Sequence, residues 1–333
     1  MRPSPRVIIE RAGTPAFLVT SLINIRYLTG AELSAGLILI RKGSMTLFVD
    51  GRYREVAAKV ERKNLAVRDW SKLVKVLKNI DRCGCEAQDV TLARMKGWKR
   101  KFKNTKFVQK EEVIEHFRRQ KASDELRSFR KAQKITNSIM ERIPTVLKFG
   151  ITERELSWKL REWVQELGAD DLAFESIVAF GSNTSRPHHH PTNKKLCKRD
   201  IVQIDMGAKF GGYCADQSRV FFVGKPTDRQ KQVYEAVEEA KKIASAAVRA
   251  GVTNHDLDQI ARKSLKCHKL EKYFVHSLGH GVGLEIHEGV SLSKKAPKTK
   301  LLSGEIVTIE PGVYLPGKFG IRLEDEILVE SGK

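Results

Sequence analysis

The apolar positions of the first fifty residues fall in short blocks, AFLVTS (16–21), AGLILIR (35–41) and MTLFVD (45–50), separated by turn-forming and charged residues. Blocks this short, rich in β-branched and aromatic side chains, predict strands. Lys42-Gly43-Ser44 predicts a hairpin turn between the second and third. VAAKV (56–60) and WSKLVKVLKNI (70–80) instead space their apolar positions as helices do. Residues 1–115 therefore read as a smaller α/β domain. Between 110 and 123 the chain becomes highly charged, and Ser123-Asp124-Glu125 supplies a helix start. A second domain is expected over 116–333.

That second domain contains an internal repeat. A helical pattern over 124–148 is followed by Gly150-Ile-Thr-Glu-Arg-Glu-Leu156 and another helical pattern. About a hundred residues later, a helical pattern over 228–250 is followed by Gly251-Val-Thr-Asn-His-Asp-Leu257 and again a helix. In both, glycine ends one helix, and threonine with an acid three residues on caps the next. Each helix pair then leads into β-rich sequence containing histidine, ESIVAFGSNTSRPHHH and YFVHSLGHGVG. Two helical hairpins could share capping chemistry alone. A duplicated ααββ unit would place a site at the junction of two related halves.

Composition narrows the class. With 333 residues and 41% hydrophobic side chains, the chain is neither disordered nor short of core. No stretch approaches the roughly 20 apolar residues of a membrane span, and the first twenty residues lack a signal-peptide core. Five irregularly spaced cysteines suggest reduced thiols in a cytoplasmic protein. Cys83-Gly84-Cys85 lacks zinc-site spacing and reads as strand packing, as does the lone Cys214. The net charge of +21 invites a nucleic-acid reading, but the excess is unevenly placed. Residues 1–122 carry 27 basic and 12 acidic side chains, whereas 123–333 carry 34 and 28. KGWKRKFKNTKF (96–107) interleaves Trp98, Phe102 and Phe107 with lysines, yet a helix end and strand with aromatics inward explains it better.

Four acids stand inside or beside β-like sequence, where charge is normally avoided. Asp205 and Asp216 flank Gly211-Gly212 in IVQIDMGAKFGGYCADQSRVFFV, an expected hairpin. Glu310 follows one apolar strand and Glu324 is expected inside another, with Gly317 and Gly320 between them. VHSLGHGVGLEIHEG adds His276, His280 and His287. Burying four unpaired carboxylates together is prohibitive. Two divalent cations would neutralise them, with one imidazole completing an oxygen-rich shell suited to Mn²⁺ or Co²⁺ ahead of Zn²⁺.

Taken together, IDMG…ADQSR, HSLGHGVGLEIHE, IEPGVY and GIRLEDE resemble the pita-bread metallopeptidases, in the branch that cleaves Xaa-Pro bonds (prolidase and aminopeptidase P). LVTSLINIRYLTGAELSAGLILI and LFVDGRY resemble that branch's creatinase-type N-terminal domain. The resemblance spans nearly the whole chain and implies an α+β fold, a pita-bread domain with a pseudo-twofold ααββ repeat. It implies two metal ions: Asp205 on one, Asp216 and Glu324 bridging both, His280 and Glu310 completing the second. It further implies Glu310 as proton shuttle, and His188, His276 and His287 around the substrate. Arg322 would orient acidic groups or substrate, and Tyr314 would sit at the rim.

The implied substrate is a small peptide with proline second, hydrolysed as a dipeptide. The alternative is an aminopeptidase acting on longer peptides, and a further one is a non-catalytic pita-bread binding module. A homodimer is expected, without membrane or nucleic-acid partners. Ser218-Arg219-Val220 departs from the usual Thr-Arg-Thr by losing the last hydroxyl, which touches hydrogen bonding around the site rather than ligation. Relatives usually continue for a further short strand beyond the position of Ser331-Gly332-Lys333, so a short C-terminus is expected.

Overall fold

The opening blocks pair as their turn chemistry predicts. Leu37–Arg41 and Ser44–Val49 run antiparallel around Lys42-Gly43, with Gly43 at φ 90°. In the computed structural model, which describes residues 2–331, the chain divides after Arg118. The first unit is built on a six-stranded mixed sheet. Its order is Leu65–Asp69, Ser44–Val49, Leu37–Arg41, Ala16–Val19, Arg82–Glu86 and Lys106–Lys110. Cys83 and Cys85 pack in this sheet's core, as do Phe102 and Phe107, with Trp98 against them. The aromatics of the basic run therefore face inward, and its lysines cover the outside.

The second unit holds the repeat. The helices are Ser123–Arg142 and Glu153–Glu166 in the first copy, Asp228–Ala246 and Asn254–Cys267 in the second. The first helix stops at Arg142, short of the predicted 148, because Pro144 has no N–H to continue the ladder. Thr152 and Thr253 both cap with a complete capping box. The likeness extends past capping. Thr152 bridges Lys195 as Thr253 bridges Lys300. Gly150 donates to the Leu196 carbonyl as Gly251 does to Leu301, and Glu153 to Lys194 as Asn254 does to Thr299. Shared capping cannot generate the same long-range ladder, so the unit is a structural duplication. Each copy has its own apolar core.

Each predicted hairpin is assembled in two stages. Ile201–Met206 pairs with Gln217–Phe222, and beyond a break Ala208–Phe210 pairs with Tyr213–Cys214 around Gly211-Gly212. In the second copy Ile306–Ile309 pairs with Asp325–Leu328, then Gly312–Leu315 with Phe319–Arg322. At the first break two backbone segments cross closely. At Gly207 an added Cβ would stand 1.6 Å from the Ala215 carbonyl oxygen, a position no side chain can share. Gly207→Ala is accordingly expected to lower stability by about 3 kcal/mol or more, read as a fall in the urea midpoint. Glu324, expected inside a strand, instead lies in the gap after Arg322. Gly332 and Lys333, on which the expectation of a short C-terminus rests, lie outside the described residues.

Candidate metal centre

The strand breaks deliver three of the four acids, Asp216, Glu310 and Glu324, while Asp205 stands inside Ile201–Met206. Where the ladder is interrupted, the freed amides find other partners. Glu310 N–H donates to the Leu278 carbonyl, Glu324 N–H to Ser218, and Asp216 N–H to the Glu326 carboxylate at 2.9 Å. Carboxylates that would point along a regular pleat are thereby turned to one place. Ligand atoms of Asp216, His280 and Glu324 lie within 4.8 Å of one another. His280 Nε2 is 3.5 Å from both Asp216 Oδ2 and Glu310 Oε1. Asp205 stands in register with Ser218, whose hydroxyl donates to Glu324 Oε2 at 2.9 Å. All five residues expected as ligands are thus contributed by three β segments to one neighbourhood.

Their electrostatics are those of an anionic cluster that Arg322 and His280 only partly offset. Burial, reinforced by Asp205 and Glu310, pushes the Asp216 carboxyl well above its usual range. Burial together with Asp216 and Glu310 does the same to Glu324. Burial raises Glu310 to about 7, although His280 and Arg322 pull the other way. Asp205 Oδ1, Asp216 Oδ1 and Glu324 Oε1 are buried and accept no hydrogen bond. Buried carboxylate oxygens left bare in this way, beside one imidazole, fit hard divalent cations.

These shifts predict how the metal-free protein responds to pH. A folded-state pKa above the usual 4.5 stabilises the fold fully below that value, and the contribution is lost as pH rises through about 7. Glu310→Gln keeps the neutral form at every pH. Between pH 5 and 8, the melting temperature of the metal-free wild type is therefore expected to fall relative to Glu310→Gln. Thermal scans in chelator check it; a constant gap contradicts the assignment.

Arg322 organises the other side. It donates to the Asp205 carboxylate, to Ser218 Oγ at 3.0 Å, to the Tyr314 hydroxyl at 2.6 Å and to the Pro187 carbonyl at 3.2 Å. Gln203 Oε1 accepts its backbone N–H at 2.8 Å. Burial opposes its charge, yet Tyr314, Asp205 and Glu310 hold the guanidinium firmly protonated. Tyr314 is buried rather than at the rim, because its hydroxyl is needed between Arg322 and His276. Since Arg322 donates to the Tyr314 oxygen, the hydroxyl proton goes to His276 Nε2 at 3.0 Å, and His276 Nδ1–H faces the Ser277 carbonyl at 2.8 Å. Burial, and then Arg322, depress this imidazole to about 3, so it is neutral.

The remaining histidines are placed differently. His287 stacks edge-on against His280, with ring centroids 4.2 Å apart. Burial, followed by His280 and His188, lowers its pKa. His188 is exposed and near enough to His276 and His287 to contribute to lowering both. His189, which has no expected role, is buried against Glu153 at 2.8 Å. Burial would raise the Glu153 carboxyl, but Thr192, His189, Asn183 and the Phe180 amide outweigh it and hold it low. Glu153 thereby clamps the 180–192 segment that carries His188. Its capping position at a helix start concealed this in the sequence. Glu326, Gln203 and the buried role of Tyr314 were likewise missed; an acid inside DEILV was the one available signal.

Comparison with known proteins identifies the family. Residues 127–331 match metallopeptidase family M24, and residues 4–120 match the creatinase/prolidase N-terminal domain. The chain is 35% identical to an Xaa-Pro dipeptidase of Pyrococcus furiosus, covering 93% of this chain and 89% of that one. The solved structure of an Xaa-Pro dipeptidase from Bacillus anthracis superimposes with a TM-score of 0.94 at 31% identity, covering 98% and 93% of the two chains. An X-Pro aminopeptidase from Thermotoga maritima reaches 0.87 at 31% identity, covering 96% and 94%.

Proposed function

This chain belongs to metallopeptidase family M24 and carries a creatinase/prolidase N-terminal domain, and from that premise we propose that it is an Xaa-Pro dipeptidase. The observation supporting this reading most directly is the buried carboxylate cluster with its bare oxygens. It lies in a chain similar over nearly its full length to Xaa-Pro dipeptidases. In this reading Asp205, Asp216, His280, Glu310 and Glu324 hold two divalent ions, Mn²⁺ or Co²⁺ ahead of Zn²⁺ because the donors are mostly oxygen. When bound, such ions supply Lewis-acid polarisation of the scissile carbonyl and acidify a water nucleophile.

The chain's own groups do the rest. Glu310, whose Oε1 lies 3.5 Å from His280 Nε2, takes a proton from water and passes it to the proline nitrogen. That transfer matters because an amide nitrogen leaves poorly until protonated. Arg322 fixes Asp205 while Tyr314 and His276 fix Arg322. Both ring nitrogens of His276 are engaged, so its role here is positioning. His188 and His287 are assigned to the substrate's carbonyl and proline-side carboxylate. A homodimer and a cytoplasmic location complete the proposal; all five cysteines are free thiols, and among the described residues no helix is long and apolar enough to cross a membrane.

The similarity to an X-Pro aminopeptidase favours a second reading, action on longer peptides. One assay series separates the two: metal-depleted protein with Mn²⁺, Co²⁺ or Zn²⁺ restored, offered Xaa-Pro dipeptides, Xaa-Pro-Yaa tripeptides and Xaa-Ala controls. Dipeptides with proline are expected to be hydrolysed at least about tenfold better than either competitor, on the order of 1.4 kcal/mol of discrimination. Preference for tripeptides would move the assignment to an aminopeptidase, and inactivity with every metal would overturn both.

A further inference from the structure

The Asn254–Cys267 helix buries Leu257, Ala261 and Leu265 in the core. His255, Gln259, Arg262, Lys263 and Lys266 recur at spacings of four, three, one and three, and so share another face. With Glu271 from the following turn and Lys294 from the loop after Ser291–Leu292, they line a cavity of about 390 Å³. Among the described residues Lys263, Lys266 and Lys294 pair with no carboxylate, and Glu271 is the one acid in the wall. Arg262 is already matched by the buried Asp258 at 2.9 Å. The wall thus presents three uncompensated ammonium groups against one carboxylate. None of its residues belongs to the candidate metal centre.

Such a volume suits a small molecule, and clustered charge in a concave wall selects for opposite charge. A dipeptide brings a single carboxylate, too little to satisfy three ammonium groups. Phosphate groups carry more charge and several acceptor oxygens each, which compact lysine point charges match well.

Arg262 connects the cavity to the site already described. While lining the cavity, it donates to the carbonyls of Phe274 at 3.0 Å and His276 at 2.7 Å. Its guanidinium lies 4.4 Å over the Phe274 ring, which meets the His276 ring edge-on at 5.1 Å. We propose that this cavity binds a small polyphosphorylated anion, and that occupation is relayed to His276 through Arg262. Phosphate oxygens compete with Asp258 for the guanidinium, and the two carbonyls that it holds shift with it.

The test is calorimetric titration of the full chain with inorganic tripolyphosphate in metal-free buffer, where chelation contributes nothing. One salt-sensitive site is expected, weakened at least about tenfold in Lys263→Ala/Lys266→Ala, whose fold is checked by circular dichroism. Adenosine triphosphate in parallel identifies the source: equal affinity means that phosphates alone are read, tighter binding that a nucleoside is read as well. The His276 ring resonance is expected to move on addition in the wild type and to stay put in the double variant. Absence of binding at millimolar probe, or equal binding by the double variant, overturns the site. Binding of an RNA oligonucleotide but not of tripolyphosphate overturns the assigned ligand, and an unmoved His276 resonance overturns the relay. None of these readouts requires peptidase activity.

Discussion

Alanine at Asp216 or at Glu324 is expected to abolish divalent-metal binding and Xaa-Pro hydrolysis together, lowering kcat/KM by at least about 10³-fold. Both side chains are buried, and both are held in unfavourable like-charge company with one another, Glu310 and Asp205. Removing either carboxylate relieves repulsion in the metal-free protein, which offsets the Ser218 hydrogen bond that Glu324→Ala also removes. The metal-free variants should melt no lower than the metal-free wild type, while losing the stabilisation that added Mn²⁺ gives the wild type. This combination separates loss of a site from loss of a fold. Full Xaa-Pro cleavage by either variant would remove Asp216 and Glu324 from the centre. A large drop in the metal-free melting temperature would mean that they are structural.

Arg322→Met should be costly in the opposite way. The guanidinium is buried and holds the Asp205 carboxylate, Ser218, Tyr314 and the Pro187 carbonyl. Methionine fills much of the volume but leaves Asp205 charged and unpaired, a defect of about 3–5 kcal/mol. Activity should fall at least about 10²-fold, because Asp205 loses its orientation and Tyr314 its anchor. Arg322→Lys should restore little of either, since one ammonium cannot make four divergent contacts. Urea denaturation gives the first quantity and steady-state kinetics the second. A stability loss below about 1 kcal/mol would mean that the buried pair contributes nothing to the fold.

Much of this architecture was legible in the residues. The Gly-x-Thr signatures at 150–152 and 251–253 announced the duplication, because helix capping is local chemistry and survives in any context. The four acids were conspicuous because β-rich sequence rarely tolerates charge, and their pairing with glycine-marked turns placed them at hairpins. What sequence could not reveal was how each hairpin breaks. Gly207 looks like an ordinary turn residue until Ala215 is seen to pass over it, and that contact is set by register rather than composition. The same holds for Glu324, left between two strands, and for Tyr314, drawn inward by Arg322. Glu153 was hidden differently: an acid at a helix N-terminus already has a sufficient local explanation. The +21 charge misdirected in one further respect, since three of its lysines line a cavity in the nearly balanced half.

In the proposed function, Asp205, Asp216, His280, Glu310 and Glu324 form a two-ion centre that drives Xaa-Pro hydrolysis. The direct measurement is a Mn²⁺ titration of metal-depleted protein, following bound metal by calorimetry and cleavage of an Xaa-Pro dipeptide in the same samples. Two ions per chain are expected, with hydrolysis appearing as they bind and disappearing on chelation. Hydrolysis that persists in fully chelated protein, or full hydrolysis at saturation with a single Mn²⁺ per chain, would contradict a two-ion centre.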